Sequence, residues 1–299
     1  MQHDLNDMMV FLAVVEAGSF TLAAQRLNIP KANISRKVSR LEERLEVTLL
    51  TRSTRSQHLT EAGKRYLTHC KQIHEQIDLA EASVCEVLNE VKGNIKIGTS
   101  VTIGQQILKP TLSQFLHQYP DINVELNLVN RRVNFIEEGF DLIIRVGKLD
   151  DSSLIGKKLG SIERKLFAST DYFKKRQIPQ AVEQLAECDL LLISALNNNN
   201  KLRLFSADKE HVLSTNPRLL VDDYAILKQL VLDGLGIAVL PDYMCSHEIE
   251  NGELIEILPE WLAESVDVYA LYPKHRVKIP KMSVFLEYII QLFNKKLSG

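Results

Sequence analysis

Cysteine is scarce in this chain of 299 residues, and its spacing excludes two kinds of site. The four cysteines, Cys70, Cys85, Cys188 and Cys245, lie far apart and form no CxxC pair. The sequence therefore predicts neither a disulfide framework nor a zinc cluster. Buried free thiols are one interpretation of these residues. A redox-sensing thiol at Cys245, just after "LPDYM", is a second hypothesis.

Long apolar runs are also missing. The first residues, "MQHDLNDMMVFLAVVEAGSF", start acidic rather than basic and hold only a short apolar stretch, which argues against a signal peptide. No run approaches the roughly 20 apolar residues of a membrane span. With 45% apolar and 25% charged residues, the chain is long enough for about two or three globular domains. We expect a cytoplasmic protein with no membrane partner.

Catalytic signatures are absent as well. The sequence contains no GxSxG, HExxH or GxxxxGK[ST] motif, and Gly98 with Gly104 lacks the lysine of a phosphate loop. His69 and His74 are five residues apart, a spacing more typical of an exposed helix surface than of a metal site. We therefore predict no catalytic residues, no cofactor and no bound metal.

Positive charge is concentrated in one short segment. Residues 19–60 carry eight Lys and Arg against three Glu, a net charge of +5. From Tyr66 onward 26 basic residues face 31 acidic ones, a net charge of −5. A polyanion would be attracted to the first segment and not to the rest.

Three short helical patterns lie at the N-terminus. The first ends near Gly18 and has these apolar positions at helical spacing: Leu5, Met8, Met9, Leu12 and Val15. Ser19 is a good N-cap for the second helix, whose apolar positions are Leu22, Ala23 and Leu27. Asn28 suits a tight turn and Pro30 suits the first turn of a third helix. The apolar stripe of that third helix consists of Ile34, Val38, Leu41 and Leu45.

The opposite face of the third helix is small, polar and basic. It consists of Lys31, Ala32, Asn33, Ser35, Arg36, Ser39 and Arg40. Short side chains permit close approach to the DNA major groove, while Arg and Asn reach base edges and phosphates. A solvated helix face with ordinary charges is the alternative. Residues 47–60, "VTLLTRSTRSQHLT", favour DNA binding because they predict two strands around a basic tip, with Arg52 and Arg55, that follows the phosphate backbone.

The stretch "FLAVVEAGSFTLAAQRLNIPKANISRKVSRLEERL", followed by "RSTRSQHLTEAG", resembles the winged helix-turn-helix of LysR-type transcriptional regulators. The resemblance runs without a gap from residue 5 to residue 63. It implies DNA contacts at Lys31, Ala32, Ser35, Arg36 and Arg55. Three positions depart from the usual pattern: Lys31 stands where Gln is common, Pro30 where a capping Ser is common, and Glu46 where Gly is common.

A heptad seam follows the winged segment. Its positions are Tyr66, Cys70, Ile73, Ile77, Ala80, Val84, Val87 and Val91, and Gly93 is expected to end the helix. Such a seam predicts a dimerising helix, as in the family, with Ile73, Ile77, Val84 and Val87 as its contacts. Docking of the seam on the chain's own C-terminal half is the alternative.

From Asn94 onward, strand and helix patterns alternate and predict a mainly parallel sheet. A second such unit starts near Ile162, and "DVYALYP" with a helix around 285–293 returns to the first, so we expect two lobes that share crossover strands. The segments "EEGFDLIIRVGKLDDSSLIGKKLG" and "GLGIAVLPDYM" resemble the periplasmic-binding-protein-like effector domain of the same family.

The cleft between the lobes is the predicted effector site. Where the first strand ends and a helix begins, hydroxyls and free backbone N–H groups are expected to converge on an anion, although Ser100 capping only its own helix is the alternative. The second wall is expected from 194–203, 222–225 and the 234–236 turn. The predicted effector-binding residues are Thr99, Ser100, Val101, Thr102, Arg145, Ser194, Asp222 and Gly234.

The predicted fold is multi-domain. An N-terminal all-α winged helix-turn-helix (residues 1–62) and a dimerising linker helix (63–92) precede a two-lobed α/β periplasmic-binding-protein-like (type 2) effector domain (93–299). Lobe I comprises about 93–161 and 268–299, and lobe II about 162–267.

The predicted function is sequence-specific transcriptional regulation in bacteria, adjusted by a small-molecule effector, which an anion would suit. The expected partners are double-stranded DNA with an inverted-repeat promoter site, the effector, further copies of the chain in a homodimer or homotetramer, and RNA polymerase. A pure solute-binding protein would leave the basic N-terminal segment unexplained. An enzyme with a DNA tether would need a catalytic cluster in the cleft, and the sequence shows none.

Overall fold

The computed structural model describes residues 4–52, 57–88, 90–130, 138–147, 154–207 and 209–297. The chain folds as two compact units, the first built mainly from residues 4–92 and the second mainly from residues 93–297. Among the described helices, no single one is long and apolar enough to cross a membrane. The helices Leu5–Ala17 and Phe20–Leu27 reach that length and composition only when they are taken together, and they are bent by 119° relative to each other.

In the first unit, the residues that the structure describes form four helices and a small two-stranded sheet. Its elements are α1 (Leu5–Ala17), α2 (Phe20–Leu27), α3 (Lys31–Leu45), β1 (Leu50–Arg52), β2 (Gln57–Leu59) and α4 (Glu61–Leu88). Local chemistry sets the boundaries. The Ser19 hydroxyl accepts from the Leu22 N–H at 3.0 Å at the start of α2, and Asn28 ends α2 in the left-handed region at φ 52°. The turn between α2 and α3 is therefore only a few residues long.

One core holds the three short helices, the sheet and the start of α4 together. Its buried members include Phe11, Ala23, Ile34, Val38, Leu41, Leu49 and Cys70. The predicted apolar face of α1 was wrong in part. Leu5 is half exposed, whereas Phe11 and Val14 are buried. Because α1 is surrounded by neighbours on most sides, helical spacing does not identify one buried stripe.

The described residues of the second unit form ten strands. They are β3 (Gly93–Thr99), β4 (Ile122–Leu128), β5 (Leu142–Val146), β6 (Ile155–Ser169), β7 (Leu190–Ile193), β8 (Lys201–Ser206), β9 (Lys209–Ser214), β10 (Leu219–Val221), β11 (Ile237–Pro241) and β12 (Leu254–Tyr272). The helices are α5 (Val101–Ile103), a π-helical turn (Gly104–Leu108), α6 (Lys109–Gln118), α7 (Tyr224–Leu232), α8 (Ser246–Glu250) and α9 (Pro280–Leu297). Short 3₁₀ helices include Thr170–Lys175 and Ser194–Leu196.

The strands form one mixed sheet in the order β10-β7-β11-β6-β12-β5-β3-β4, and the β8–β9 hairpin is attached to β12. The expectation of a mainly parallel sheet is corrected. Strands β3, β4 and β5 are parallel, as are β7, β10 and β11, but the long strands β6 and β12 run antiparallel to their neighbours. These two strands cross from lobe I, with β3 to β5, to lobe II, with β7 to β11.

Each lobe has its own packed interior. In lobe I, Phe115 of α6 meets Phe285 of α9 edge to face, with ring centroids 5.1 Å apart. In lobe II, one apolar cluster contains Leu190, Leu202 and Ile257, and another contains Leu191 and Leu227. Because successive strand residues point to opposite faces, Leu190 and Leu191 belong to different clusters.

The crossover orients both sets of parallel strands. At the carboxyl end of β5, Val146 pairs with Val268 of β12, and at the carboxyl end of β11, Pro241 pairs with Arg164 of β6. The carboxyl ends of the parallel strands in both lobes therefore point toward the middle of the crossover. Ligands of open α/β sheets bind at this edge.

Candidate nucleic-acid interface and ligand cleft

Helix α3 presents one buried and one exposed face. Ile34, Val38 and Leu41 are fully buried, and their packing fixes the rotation of the helix. Lys31, Ala32 and Arg36 are exposed on the other side, and Asn33 and Ser35 are half-buried beside them. The helix starts after Pro30, which makes no side-chain cap hydrogen bond. The predicted small, basic face therefore points to solvent.

Arg40 has a different environment from Arg36. Its Nε and Nη2 donate to the two carboxylate oxygens of Asp7 at 2.6 Å each, and Nη2 also lies 2.6 Å from the Asp4 carboxylate. Asp7 is 1% exposed, and Lys37 Nζ lies 3.5 Å from it. The guanidinium of Arg40 therefore fastens α3 to the start of α1, and its predicted DNA contact stays a prediction, since the side chain is 57% exposed.

Arg40 and Lys37 change the pKa of Asp7. Burial alone would raise the pKa of Asp7, but the hydrogen bond and charge of Arg40, together with Lys37, hold it below its ordinary value. The carboxylate stays ionised in the core because two cations surround it.

The predicted wing is present as an antiparallel pair. Leu50 pairs with Leu59 and Thr51 with His58, and the Thr51 hydroxyl donates to the His58 carbonyl at 3.1 Å. The backbone of Arg52 ends β1. Arg55 and the side chain of Arg52 lie outside the described residues, so the predicted contacts of the tip stay predictions.

Helix α4 divides into two parts along the predicted seam. Tyr66 and Cys70 face the first unit's own core, with the Tyr66 ring centroid 5.6 Å from that of Phe11. These two positions are therefore not seam contacts. Further along, Ile73 is 40% exposed and Ile77 is half-buried. The side chains of Val84 and Val87 lie outside the described ones.

The helical part of the predicted linker is shorter than expected. Helix α4 ends at Leu88, and Gly93 is already the first residue of β3. Val91 lies between these two elements, so its predicted place in the heptad seam is wrong. A repeat counted from sequence alone does not show where the helix ends.

In lobe I, Ser100 follows β3 and caps α5. Its hydroxyl accepts from the Ile103 N–H at 3.4 Å, and the Asn130 side-chain oxygen accepts from the Val101 N–H at 3.1 Å. The prediction that these N–H groups are free for an anion is corrected, since side chains occupy two of them. Asn130 was missed because it lies 29 residues further along the chain.

The other predicted effector-binding residues of lobe I differ in solvent exposure. Thr99 is 1% exposed, and its hydroxyl has no hydrogen-bond partner among the residues that the structure describes. Its side chain therefore does not line an open cleft. Thr102 is half-buried, and so is Arg145, which pairs with Tyr269 near the carboxyl end of β5.

In lobe II, Ser194 and Asp222 share one edge of the sheet. They follow β7 and β10, and the Ser194 hydroxyl donates to the Val221 carbonyl at 3.1 Å. Both are exposed. The cap of α7 is Asp223, which accepts from the Ala225 and Ile226 N–H groups at 2.8 and 3.0 Å.

Gly234 belongs to the other edge of lobe II. It lies beyond α7 and before β11, where the Ile237 N–H donates to the carbonyl of Asp189, the residue that precedes β7. The predicted effector contact at Gly234 is therefore corrected. The glycine, at φ 76°, ends α7 instead.

A polar cluster at the crossover was not predicted. The Asp267 carboxylate of β12 accepts from Ser161 at 2.7 Å and Tyr269 at 2.9 Å and lies 2.7 Å from Lys158 Nζ. These hydrogen bonds, from Lys158 first, lower the pKa of Asp267 to about 2. Ser161 and Lys158 are more than 100 residues away from Asp267, so only the pairing of β6 with β12 brings them to it.

Cys245 is fully buried beside α7. Burial, with a smaller contribution from Glu248 and Asp242, raises its pKa to about 12 against the lowering effect of Lys228. A reactive cysteine needs access and a thiolate, so this environment favours the packed thiol over the redox hypothesis. The described residues contain no group of three His, Cys, Asp or Glu side chains placed to hold a metal ion.

The winged unit followed by a two-lobed ligand domain defines the class of one-component DNA-binding regulators. Residues 5–64 match the family model for the bacterial regulatory helix-turn-helix protein, lysR family, and residues 88–294 match the LysR substrate binding domain. The chain belongs to the LysR family of transcriptional regulators.

Relatives match over nearly the full length. An HTH-type transcriptional regulator of Xanthomonas campestris pv. campestris is 34% identical over 298 residues, which cover 98% of this chain and 87% of the relative. CrgA of Neisseria meningitidis serogroup C is 30% identical, with full coverage of both chains. The full-length structure of AphB, the Vibrio cholerae virulence activator, superposes with a TM-score of 0.63 at 30% identity, covering 97% of this chain and 99% of that one.

These matches confirm the predicted fold class and function. The chain is a helix-turn-helix transcriptional regulator whose C-terminal domain is of the small-molecule-binding type. The family and the named relatives are regulators rather than enzymes. Members of the family bind DNA and small-molecule effectors and form oligomers.

Proposed function

We propose that this regulator reads DNA through the exposed face of α3, with Lys31, Ala32, Asn33, Ser35 and Arg36 in the major groove. The observation that carries the proposal is the orientation of α3. Ile34, Val38 and Leu41 are fully buried and Arg40 is tied to Asp7, so the small and basic side chains point outward on a fixed helix. Arg52 and Arg55 of the wing are proposed to contact phosphate.

Fluorescence anisotropy with a DNA fragment selected from random sequence tests this assignment. Arg36→Ala should cost about 1–3 kcal/mol of affinity at the selected site and relax sequence preference. Arg55→Ala should weaken binding to all sequences alike and flatten its salt dependence. Arg65→Ala, on the exposed side of α4, removes the same charge and is the control. Unchanged affinity and preference in Arg36→Ala would refute the α3 assignment.

We propose that the effector binds at the carboxyl edges of the parallel strands, between Ser100 and Thr102 of lobe I and Ser194 and Asp222 of lobe II. The support is topological, since the crossover strands point both edges toward each other. Arg145, near the end of β5, would add positive charge for an anionic effector. Because the Val101 N–H is already bonded to Asn130, the Ser100 and Thr102 hydroxyls carry recognition in this proposal.

A thermal-shift screen of a metabolite library against the full chain tests the cleft. A ligand that binds only the folded state raises the unfolding midpoint by mass action. Ser100→Val should remove the shift produced by a hit, while Ser113→Val, the same change at an exposed position of α6, should keep it. Equal shifts in both variants would place the effector elsewhere.

We also propose that residues 1–62, 63–92 and 93–299 act as the DNA-binding, dimerising and effector parts. The seam of α4, in which Ile73 is exposed, would join two copies of the chain. The dimer, or a tetramer built from it, would bind an inverted repeat through its α3 helices. Like the family's helix-turn-helix members, it would act in the bacterial cytoplasm and contact RNA polymerase at the promoter. Co-purification of polymerase with the DNA-bound full chain, but not with free DNA, would support that last contact.

A further inference from the structure

A second polar pocket lies on lobe II, away from the cleft. Its volume is about 280 Å³, and its charged lining consists of Asp171, Lys174, Lys175, Arg176, Asp189 and Arg218. Asp189 and Arg218 directly precede β7 and β10, whereas Ser194 and Asp222 follow the same strands. The pocket is therefore at the opposite edge of the sheet from the proposed effector site.

The pocket carries an excess of positive charge. Four basic side chains face two carboxylates, which leaves a net charge of +2. Lys174 is paired with Asp171 at 2.9 Å, and Lys175 is exposed beside it. The chain from Tyr66 onward has a net charge of −5, so this local excess is opposite in sign to its surroundings. Such a concavity raises the local concentration of anions.

Arg176 is held in place before any ligand arrives. Its guanidinium lies over the Tyr172 ring, 4.7 Å from the centroid, and Nη1 donates to the Tyr172 hydroxyl at 2.7 Å. The same nitrogen lies 2.7 Å from the Asp189 carboxylate. Tyr172 is itself buried, and its hydroxyl accepts from the Asp189 N–H at 2.9 Å. A side chain ordered in this way loses little further entropy on binding.

Arg218 approaches Asp189 from the neighbouring strand. Its Nη1 donates to the Leu235 carbonyl at 3.3 Å and lies 4.0 Å from the Asp189 carboxylate. Within the described part of the chain, the hydrogen bonds recorded for Arg176 and Arg218 use Nη1. Each guanidinium has further N–H donors on Nε and Nη2, and paired N–H donors match the geometry of phosphate oxygens.

We propose that this pocket binds a small doubly charged oxyanion, either free phosphate or a phosphate monoester. The charge of the ligand matches the net charge of the pocket, Arg176 and Arg218 bind its oxygens, and Lys175 supplies a further cation. The volume of the pocket, about 280 Å³, is just below the range of pockets that hold drug-sized molecules, so the pocket has room for phosphate or a small phosphate monoester. The regulator would then sense this oxyanion at a place separate from the cleft.

Calorimetric titration of the full chain with inorganic phosphate, at ionic strength matched with sodium chloride, tests the proposal. Phosphate should bind the wild type at one site, and Arg218→Gln combined with Lys175→Gln should weaken it about tenfold or more. Arg176 is left intact because it also orders Tyr172 and Asp189. Arg203→Gln removes an exposed charge of β8 that is paired with Glu210 of β9, and this variant should bind phosphate like the wild type.

Two ligands distinguish the two sources of the oxyanion. Tighter binding of glycerol 3-phosphate than of phosphate supports a monoester, and equal binding supports free phosphate. A titration no different from that with sodium chloride, or equal affinity in the double variant and Arg203→Gln, would overturn the proposal. The thermal shift caused by a cleft ligand should be the same in the double variant and the wild type, so the two sites are tested independently.

Discussion

Asp7 is the buried acid on which the orientation of α3 depends. Asp7→Asn removes the charge that Arg40 and Lys37 surround while keeping the size of the side chain. The free energy of unfolding should fall by about 1–2 kcal/mol, because Arg40 and Lys37 then face a neutral amide instead of a carboxylate. Asp4→Asn keeps the helix cap and loses only an exposed pair, so it should change stability by at most about 0.5 kcal/mol. Urea denaturation measures both.

The contribution of Asp7 depends on pH in a defined direction. Its pKa is lowered in the folded state, so its contribution to stability is present above the ordinary Asp pKa and is lost as the pH falls through the folded value. The difference between wild type and Asp7→Asn should therefore be largest near neutral pH and shrink toward acid. A difference that grew as the pH fell would contradict the assigned ion pair.

Glu46 ends α3 in the left-handed region at φ 52°, a conformation that costs a residue with a Cβ about 1 kcal/mol or more. Glu46→Gly should raise the free energy of unfolding by about 1 kcal/mol. Glu43→Gly places glycine inside the same helix and should lower it by about the same amount. Chemical denaturation of the two variants decides this, and equal effects would mean that the cap carries no strain.

At the scale of elements, α4 changes role along its length. Its first turns are held by the first unit's core through Tyr66 and Cys70, whereas Ile73 is 40% exposed three residues further on. Replacing Ile73 and Ile77 together with Lys should dissociate the dimer and abolish tight binding to an inverted repeat. The reason is that apolar side chains on a long helix are unfavourable in water, and packing against a partner helix buries them.

The matched control for this helix is Gln72→Lys combined with Gln76→Lys. Both glutamines are exposed on α4, so this pair adds the same charge to the same turns without touching the seam. Sedimentation velocity should show a dimer for the control and a monomer for the isoleucine variant. An isoleucine variant that stays dimeric with full DNA affinity would move the interface to the effector domains.

The elements that the sequence predicts well are those whose causes are local. The Ser19 cap, the turn at Asn28 and the stripe of Ile34, Val38 and Leu41 all follow from residues within a few positions of each other. The direction of β6 and β12 could not be predicted in the same way, since their pairing joins residues about 100 positions apart. The end of α4 before Val91 was missed because the heptad repeat continues past the residue at which the helix ends.

At the scale of the whole molecule, the candidate sites were only partly predictable. Arg36 and Arg40 look alike in sequence, and only the fold shows that Arg40 is paired with Asp7. Gly234 was predicted to line the cleft as part of the 234–236 turn, but the strand order puts it at the far edge. The cluster around Asp267 forms only when β6 pairs with β12, and the pocket at Arg176 forms only when the strands of lobe II are assembled.

Regulation requires that a ligand bound between the lobes favour one of two arrangements of the chain. A ligand with equal affinity for both would shift nothing, however tightly it bound. If the favoured arrangement differs in its affinity for DNA, the ligand changes DNA affinity by some factor, and DNA must change ligand affinity by the same factor.

The most direct test is to measure this linkage in the full chain with a cleft ligand from the screen. Anisotropy gives DNA affinity with and without ligand, and calorimetry gives ligand affinity with and without DNA. The two ratios should agree and lie at about 5–150-fold, and Ser100→Val should abolish ligand binding while leaving basal DNA affinity unchanged. A ligand that saturates the cleft of the wild type and leaves its DNA affinity unchanged would contradict the account.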